Sequence, residues 1–408
     1  MNNLLNRYPK QLSIVFACLS VVYFVISLSY FIQRPASGDE PIFVNDLNTV
    51  INQGWITAIA NQISIPYTML AYPFALFMDT FRALQAANIL VLIGLFAYFL
   101  KVAKVENKAF YFYLIFYLAT IRLFFSGIND PLFILGMVIF FIEVFYFLEK
   151  GKMNSETLAF SGLVIAFFTR ALTIVYTPAI LLSFFFLYRN GFKFSKSIRI
   201  PIVLAVLFIG INMPSILKNH KLSYDNKKPP EDVTVNWTQR QYLAQMWVNE
   251  GKIKNMSHPS WEQTEAYVEE HGPRSLPDNM IAAVFHNPKM TVKEIVKDFS
   301  SSLFFGFRQL GLMILFPFYF IGIALFLRRK FTNASYIPLV FIGMTLTFSV
   351  IIISFLELRW LCSAYIPIIF FFSYYAVKDK HANLILWCNY LVLCGFSLYG
   401  MYKVFLRF

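Results

Sequence analysis

Apolar runs as long as a bilayer is thick recur along nearly the whole chain, and they limit the fold more than any other feature. Roughly 17 to 25 such residues cross about 30 Å of hydrocarbon as a helix. Lipid offers no hydrogen bonds to the backbone, so a spanning segment has to be a helix or part of a closed barrel. Barrel strands alternate apolar and polar residues, whereas these runs are continuous. Only 14% of the residues are charged and 58% are apolar, against about 25% charged in soluble domains. The expected fold class is an all-α polytopic membrane protein with about 11 transmembrane helices. Outer interfacial helices and one large extracytoplasmic loop complete it.

The spans are expected at about 11–33, 82–102, 109–127, 131–149, two short ones sharing 156–188, then 200–217, 302–327, 335–355, 361–377 and 383–402. Lys and Arg gather at alternate ends: Arg7 and Lys10, then Lys101, Lys104 and Lys108, then Lys150 and Lys152. Arg189, Lys193, Lys196 and Arg199 follow, then Arg328, Arg329 and Lys330, then Lys378 and Lys380. The positive-inside rule puts these ends and the N-terminus in the cytoplasm. It also accounts for the net charge of +13 without nucleic acid, for which no motif is present. Three parts result: a transmembrane module at 1–217 with a first outer loop at 34–81, a polar segment at 218–301, and C-terminal helices at 302–408. The polar segment holds Pro229-Pro230, Trp237, Trp247, Trp261, His258, His271 and His286. It is long enough for a small helical lid and short for a domain with a sizeable core. Cys18, Cys362, Cys388 and Cys394 all lie in apolar runs, so no disulfide framework is visible. The histidines show no metal-ligand spacing; no metal site is assigned, no cofactor is required, and a divalent metal is not indicated.

Asp39 and Glu40 stand together just past the first apolar run, before a stretch from Ile42 that reads as an amphipathic helix stopped by Gly54. Acids also cap helices, so the pair alone has two readings. The same end of the bundle is expected to carry Arg82, Arg122, Asp130, Arg170, Arg308, Glu357 and Arg359. Ionisable groups near lipid are expensive, and they pair or line a cavity. The arginine fork suits a phosphate, and a carboxylate beside it suits a general base. This predicts transfer of a group from a lipid phosphate to an acceptor at the outer surface. Asp39, Glu40 and Asp130 are the candidate catalytic acids. Arg122, Arg170, Arg308 and Arg359 are the candidate contacts to the carrier phosphate. Tyr67 in the first loop and Trp261 in the large one are the aromatic candidates for touching substrate.

Four stretches resemble a known family. They are Gly38-Asp39-Glu40-Pro41-Ile42-Phe43 with Gly54-Trp55, Pro66-Tyr67 and Tyr72-Pro73; Asn129-Asp130-Pro131-Leu132; Thr169-Arg170; and Leu358-Arg359-Trp360 with Tyr365-Ile366-Pro367. In order and sidedness the chain is similar to the GT-C integral-membrane glycosyltransferases that use polyprenyl-phosphate-linked sugars. It resembles especially the bacterial branch of protein O-mannosyltransferases and aminoarabinose transferases. Trp360 stands where that family usually has Tyr, and Ile65 precedes Pro66 where some relatives have Lys. The resemblance implies a GT-C-like fold in a bacterial plasma membrane. It implies inverting displacement at a sugar's anomeric carbon, with Asp39 as the catalytic acid, Glu40 its neighbour and Asp130 a second acidic position. The partners it implies are a polyprenyl-phosphate sugar and a lipid, glycan or protein acceptor. A transporter or flippase is the alternative of another class, but broken helices, charges at mid-membrane and a two-fold repeat are not seen in the sequence. In a non-catalytic assembly protein the outer arginines need not converge. A polysaccharide polymerase or ligase is a nearer enzyme alternative, with two large outer loops where one appears here.

Overall fold

Residues 2–224, 233–327, 329–376 and 380–407 are described by a computed structural model; Pro229-Pro230, Arg328 and Lys378 lie outside them. Each segment expected to be apolar helix is helical over most of its described length, and the described residues contain no strand. Six helices are long and apolar enough to cross a membrane: Gln11–Gln33, Thr80–Val102, Asp130–Lys150, Pro288–Leu327, Asn333–Val350 and Ile385–Phe405. The pair Lys196–Ile211 and Met213–Asn219, bent by 49°, makes a seventh if counted as one span. The chain thus has the helices of a polytopic membrane protein, with six or seven full-length candidates among the described residues rather than eleven. The others are shorter for local reasons. Helix α5 (Lys108–Ile121) stops at Arg122, which is left-handed at φ 60°. The stretch expected to hold two spans breaks into α7 (Glu156–Thr169), α8 (Leu172–Val175) and α9 (Thr177–Arg189). Pro178 at the start of α9 is tolerated only in a helix's first turn.

Contacts divide the chain into two compact units. One holds Met1–Asp225, Gly306–Ile342 and Arg359–Phe408; the other holds Asn226–Phe305 and Gly343–Leu358. In the first, α1 (Asn2–Gln33) packs on α5 and on α19 (Lys380–Phe405). Ile14, Val15, Val22 and Val25 on α1 and Leu391, Leu398 and Tyr402 on α19 are exposed. Such apolar surface suits lipid. Helix α6 (Asp130–Lys150) is the hub: 83% of its most apolar stretch is buried, against 22% for α1. It lies against α4 (Thr80–Ala97), α7 and α18 (Cys362–Ala376).

The α6–α7 contact rests on two glycines. Gly136 and Gly162 meet backbone to backbone, and a Cβ on Gly162 would lie 2.9 Å from the Gly136 carbonyl oxygen. Small residues allow this close approach in lipid. Counting from there in antiparallel register brings the first residue of α6, Asp130, opposite Phe168, one residue before the end of α7 and two before Arg170. The loop after α1 leads into α2 (Glu40–Ala60) and α3 (Ile65–Ala75). Gly54 breaks α2 at φ 82° and ψ 165°, but a further helical segment follows it to Ala60; the helix is kinked there rather than ended.

The second unit contains α12 (Trp237–Asn249), α13 (Trp261–His271), α14 (Met280–His286) and the first part of α15 (Pro288–Leu310). Capping boxes start two of them, Asn236 with Gln239 and Ser260 with Gln263. Its core is small: Tyr242, Leu243, Leu276, Ala283 and Ile352. Residues 343–358, expected within and just after a span, belong to this unit; Ile352 joins its core, and the Ser354 hydroxyl lies 3.1 Å from His258 Nδ1. Helix α15 starts at Pro288, well before the expected 302. Its early charges hide an amphipathic period, in which Thr291, Glu294, Asp298 and Ser302 are buried together.

Candidate functional site

Helix ends leave backbone donors and acceptors unsatisfied, and the first unit closes several of them against one another. The Ser64 hydroxyl, at the start of α3, donates to the Thr169 carbonyl at the end of α7 (2.7 Å). Asn129, the residue before α6, donates its amide to both Ser64 Oγ (3.1 Å) and the Thr169 carbonyl (3.2 Å). On α4, Asn88 donates to the Ile128 carbonyl (2.8 Å), and Gln85 to the carbonyls of Phe31 (2.8 Å) and Phe125 (3.1 Å). Arg82 donates to the Ile32 carbonyl at the end of α1. These bonds, all but the Arg82 one from uncharged donors, hold the segments that carry the candidate acids and arginines.

Four charged groups then form a chain. Asp130 opens α6 and Arg170 is the first non-helical residue after α7; the arginine donates to Asp130 Oδ1, with the aspartate side chain 2% exposed. Arg359, just ahead of α18, brings Nη1 to 3.7 Å from Asp130 Oδ2 and donates through Nη2 to Asp39. Asp39 sits at the N-cap position of α2, yet its side chain makes no capping bond. Its carboxylate is turned to Arg359 and is 30% exposed, the most open member of the chain. Arg170, Arg359, Asp39 and Asp130, expected to gather on sequence grounds, are therefore in contact.

The other candidates are placed differently. Glu40 is 2% exposed, and its carboxylate is fully occupied. It accepts from Arg34 Nη2 and Nη1 (2.6 and 2.7 Å), the Ser37 N–H (2.8 Å) and the Gly127 N–H (2.9 Å). Tyr67, expected to touch substrate, is fully buried: its ring packs edge-on against Phe43, and its hydroxyl donates to the Leu84 carbonyl (3.2 Å). Burial first, and then the Glu40 charge, pushes that hydroxyl well above the usual phenol range, so it stays a donor. Arg122 sits over the Phe31 ring and reaches the Tyr23 hydroxyl (3.4 Å); no carboxylate pairs with it among the described residues. Arg308 is exposed, and no ion pair joins it to the chain. Trp261 belongs to the second unit, where its ring carries the Arg240 guanidinium 4.7 Å from its centre.

Sequence reasoning missed Arg34, Ser64, Asn88 and Gln85 as site-forming residues. Arg34 had a signal, a lone arginine at the end of the first apolar run, six residues before an acid. Among the described residues, no three His, Cys, Asp or Glu side chains gather as metal ligands. Compared with models of protein families, with curated proteins and with solved structures, the chain finds no match in any of the three.

Proposed function

We propose that the chain is a membrane glycosyltransferase of GT-C type, moving a sugar from a polyprenyl-phosphate carrier to an acceptor hydroxyl or amide. The observation that carries this reading is Asp39: it occupies a cap position, leaves its own helix uncapped, and faces an arginine shared with a second acid. A carboxylate placed only for stability would cap α2. In the reaction the acceptor oxygen or nitrogen bonds to the anomeric carbon as the carbon–oxygen bond to the carrier phosphate breaks, with inversion. Asp39 takes the acceptor's proton, and arginine stabilises the leaving phosphate. An arginine-held carboxylate is a poor proton acceptor. Arg359 therefore exchanges Asp39 for the incoming phosphate, freeing the base only when donor is bound. Asp130 and Arg170 hold Arg359 in place for that exchange. This reading sets the site on the extracytoplasmic face of a bacterial plasma membrane, with the N-terminus in the cytoplasm, and requires no cofactor.

The test uses purified protein in nanodiscs with a panel of polyprenyl-phosphate sugars, following carrier release by mass spectrometry. Asp39→Asn is expected to lower release by about 100-fold or more, the scale of general-base loss, with an unchanged elution profile. Near-normal release by that variant, or no release by the parent across the panel, overturns the proposal.

A further inference from the structure

The second unit contains a cavity of about 640 Å³ between α12 and the α14–α15 junction, remote in sequence from the acids described above. Two of its lining residues carry hydroxyls that are buried without a hydrogen-bond partner, Tyr242 and Ser275. Tyr242 is 1% exposed. A buried hydroxyl left unbonded is costly and calls for a partner. Burial, with a smaller effect of Tyr267, pushes the Tyr242 hydroxyl up to about 12, so at neutral pH it has a proton to donate. His286 lies across the Tyr242 ring, with Nε2 3.2 Å from the Ser275 carbonyl oxygen.

The rim is basic. Lys289 and Lys293 line the cavity, are exposed, and have no ion pair among the described residues. They stand four residues apart in the first two turns of a 23-residue helix that has no acid in its first turn. Like charges at that spacing repel, and cations oppose the positive end of a helix dipole. Both effects are unfavourable in the empty protein and both reverse when an anion is bound. The acids nearby are already engaged: Glu250 pairs with Lys252 (2.7 Å), and buried Glu294 binds Lys297 (2.9 Å) and accepts from Asn249 (2.8 Å).

We infer that this cavity binds an anionic saccharide, a sugar bearing a phosphate or carboxylate. Lys289 and Lys293 hold the charge, and Tyr242 and Ser275 bond the sugar hydroxyls. As the place where an acceptor glycan docks, the cavity rests on the glycosyl-transfer reading; as a binding site it does not.

Isothermal titration of the full chain in phosphatidylcholine nanodiscs tests it, with glucose 6-phosphate, glucuronate, glucose and inorganic phosphate as probes. Both anionic sugars are expected to bind at least about tenfold more tightly than glucose, the scale of one charge-assisted bond, and severalfold more tightly than inorganic phosphate, the scale of neutral hydrogen bonds. Lys289→Ala with Lys293→Ala is expected to weaken them about tenfold or more. Tyr242→Phe, which keeps the ring, is expected to weaken the sugars severalfold and leave phosphate unchanged. Glucose binding as well as glucose 6-phosphate, or an unaffected double lysine variant, overturns the inference. So does inorganic phosphate binding as tightly as the sugar phosphate, or loss of binding in phosphatidylglycerol nanodiscs, which would assign the rim to lipid headgroups. The heat is read without turnover, so this result stands apart from the carrier-release assay.

Discussion

Asp39 and Glu40 are consecutive, equally charged and open the same helix, yet they belong to different networks. Successive residues on a helix point about 100° apart, and here that turn separates a closed clamp from an open chain. Glu40 is bound on both oxygens by Arg34 and by two backbone N–H groups. It ties the loop after α1 to Gly127, three residues before Asp130. Asp39 contacts Arg359, 320 residues away in sequence, and through it Asp130 and Arg170. The Glu40 carboxylate has no acceptor capacity left for a substrate. The chain has an end 30% open to its surroundings. Charge at a membrane surface is thus an insufficient sign of chemistry; how completely its bonds are used separates the two acids.

The comparison breaks most sharply at Asp130. Asp130→Ala leaves Arg170 and Arg359 without their shared buried acid, and removal of one partner of a buried pair costs about 3–5 kcal/mol. A thermal scan followed by size-exclusion chromatography should show the largest fall in midpoint of any variant here. Adding Arg170→Met should recover part of it, because a neutral pair leaves no stranded charge. Glu40→Gln should come next, at about 2–4 kcal/mol, since the bidentate bond with Arg34 loses its charge while a partly buried guanidinium remains. If Glu40→Gln instead leaves the midpoint unchanged and stops carrier release, the roles of the two acids are exchanged.

Charge at helix ends was readable from the chain because ionisable residues beside long apolar runs are too expensive to be incidental. On that ground Asp39, Asp130, Arg170 and Arg359 were expected together. The partner of Glu40 was not, since Arg34 sits in a Pro- and Ser-containing loop without periodicity. Glu143 was also passed over. It lies fully buried in mid-α6, where it accepts the Tyr98 hydroxyl (2.7 Å) and the Ser155 N–H (2.9 Å). Bonds of this kind are tertiary and leave no pattern in one helix. Fewer helices than expected reach full length for a related reason. Hydropathy measures how apolar a stretch is, while the left-handed Arg122 and the break at Arg170 decide whether it continues as helix.

A smaller effect sharpens the comparison from underneath. Gly136→Ala puts a methyl group against the Gly162 carbonyl, and overpacking of this kind costs about 1–3 kcal/mol. The separation it forces between α6 and α7 bears directly on Asp130 and Arg170, one at each helix end, and reaches the Glu40 clamp only through Gly127. Carrier release should therefore fall by more than the change in midpoint explains. An equal fall in Glu40→Gln and Gly136→Ala backgrounds at matched stability would show that the two networks act as one.

The smallest expected change in stability belongs to Asp39→Asn. The amide keeps the shape and removes the charge from a partly exposed pair, and such pairs contribute about 0–1 kcal/mol. No capping bond is lost, because Asp39 makes none. Asparagine is itself a good N-cap, so freed from Arg359 it can turn to its own helix and raise the midpoint slightly. A stability gain with loss of carrier release would mean that Asp39 gives up a favourable cap to hold a position useful only to a substrate. A midpoint drop on the scale of Glu40→Gln would instead make Asp39 a second clamp and remove the observation on which the transfer mechanism rests.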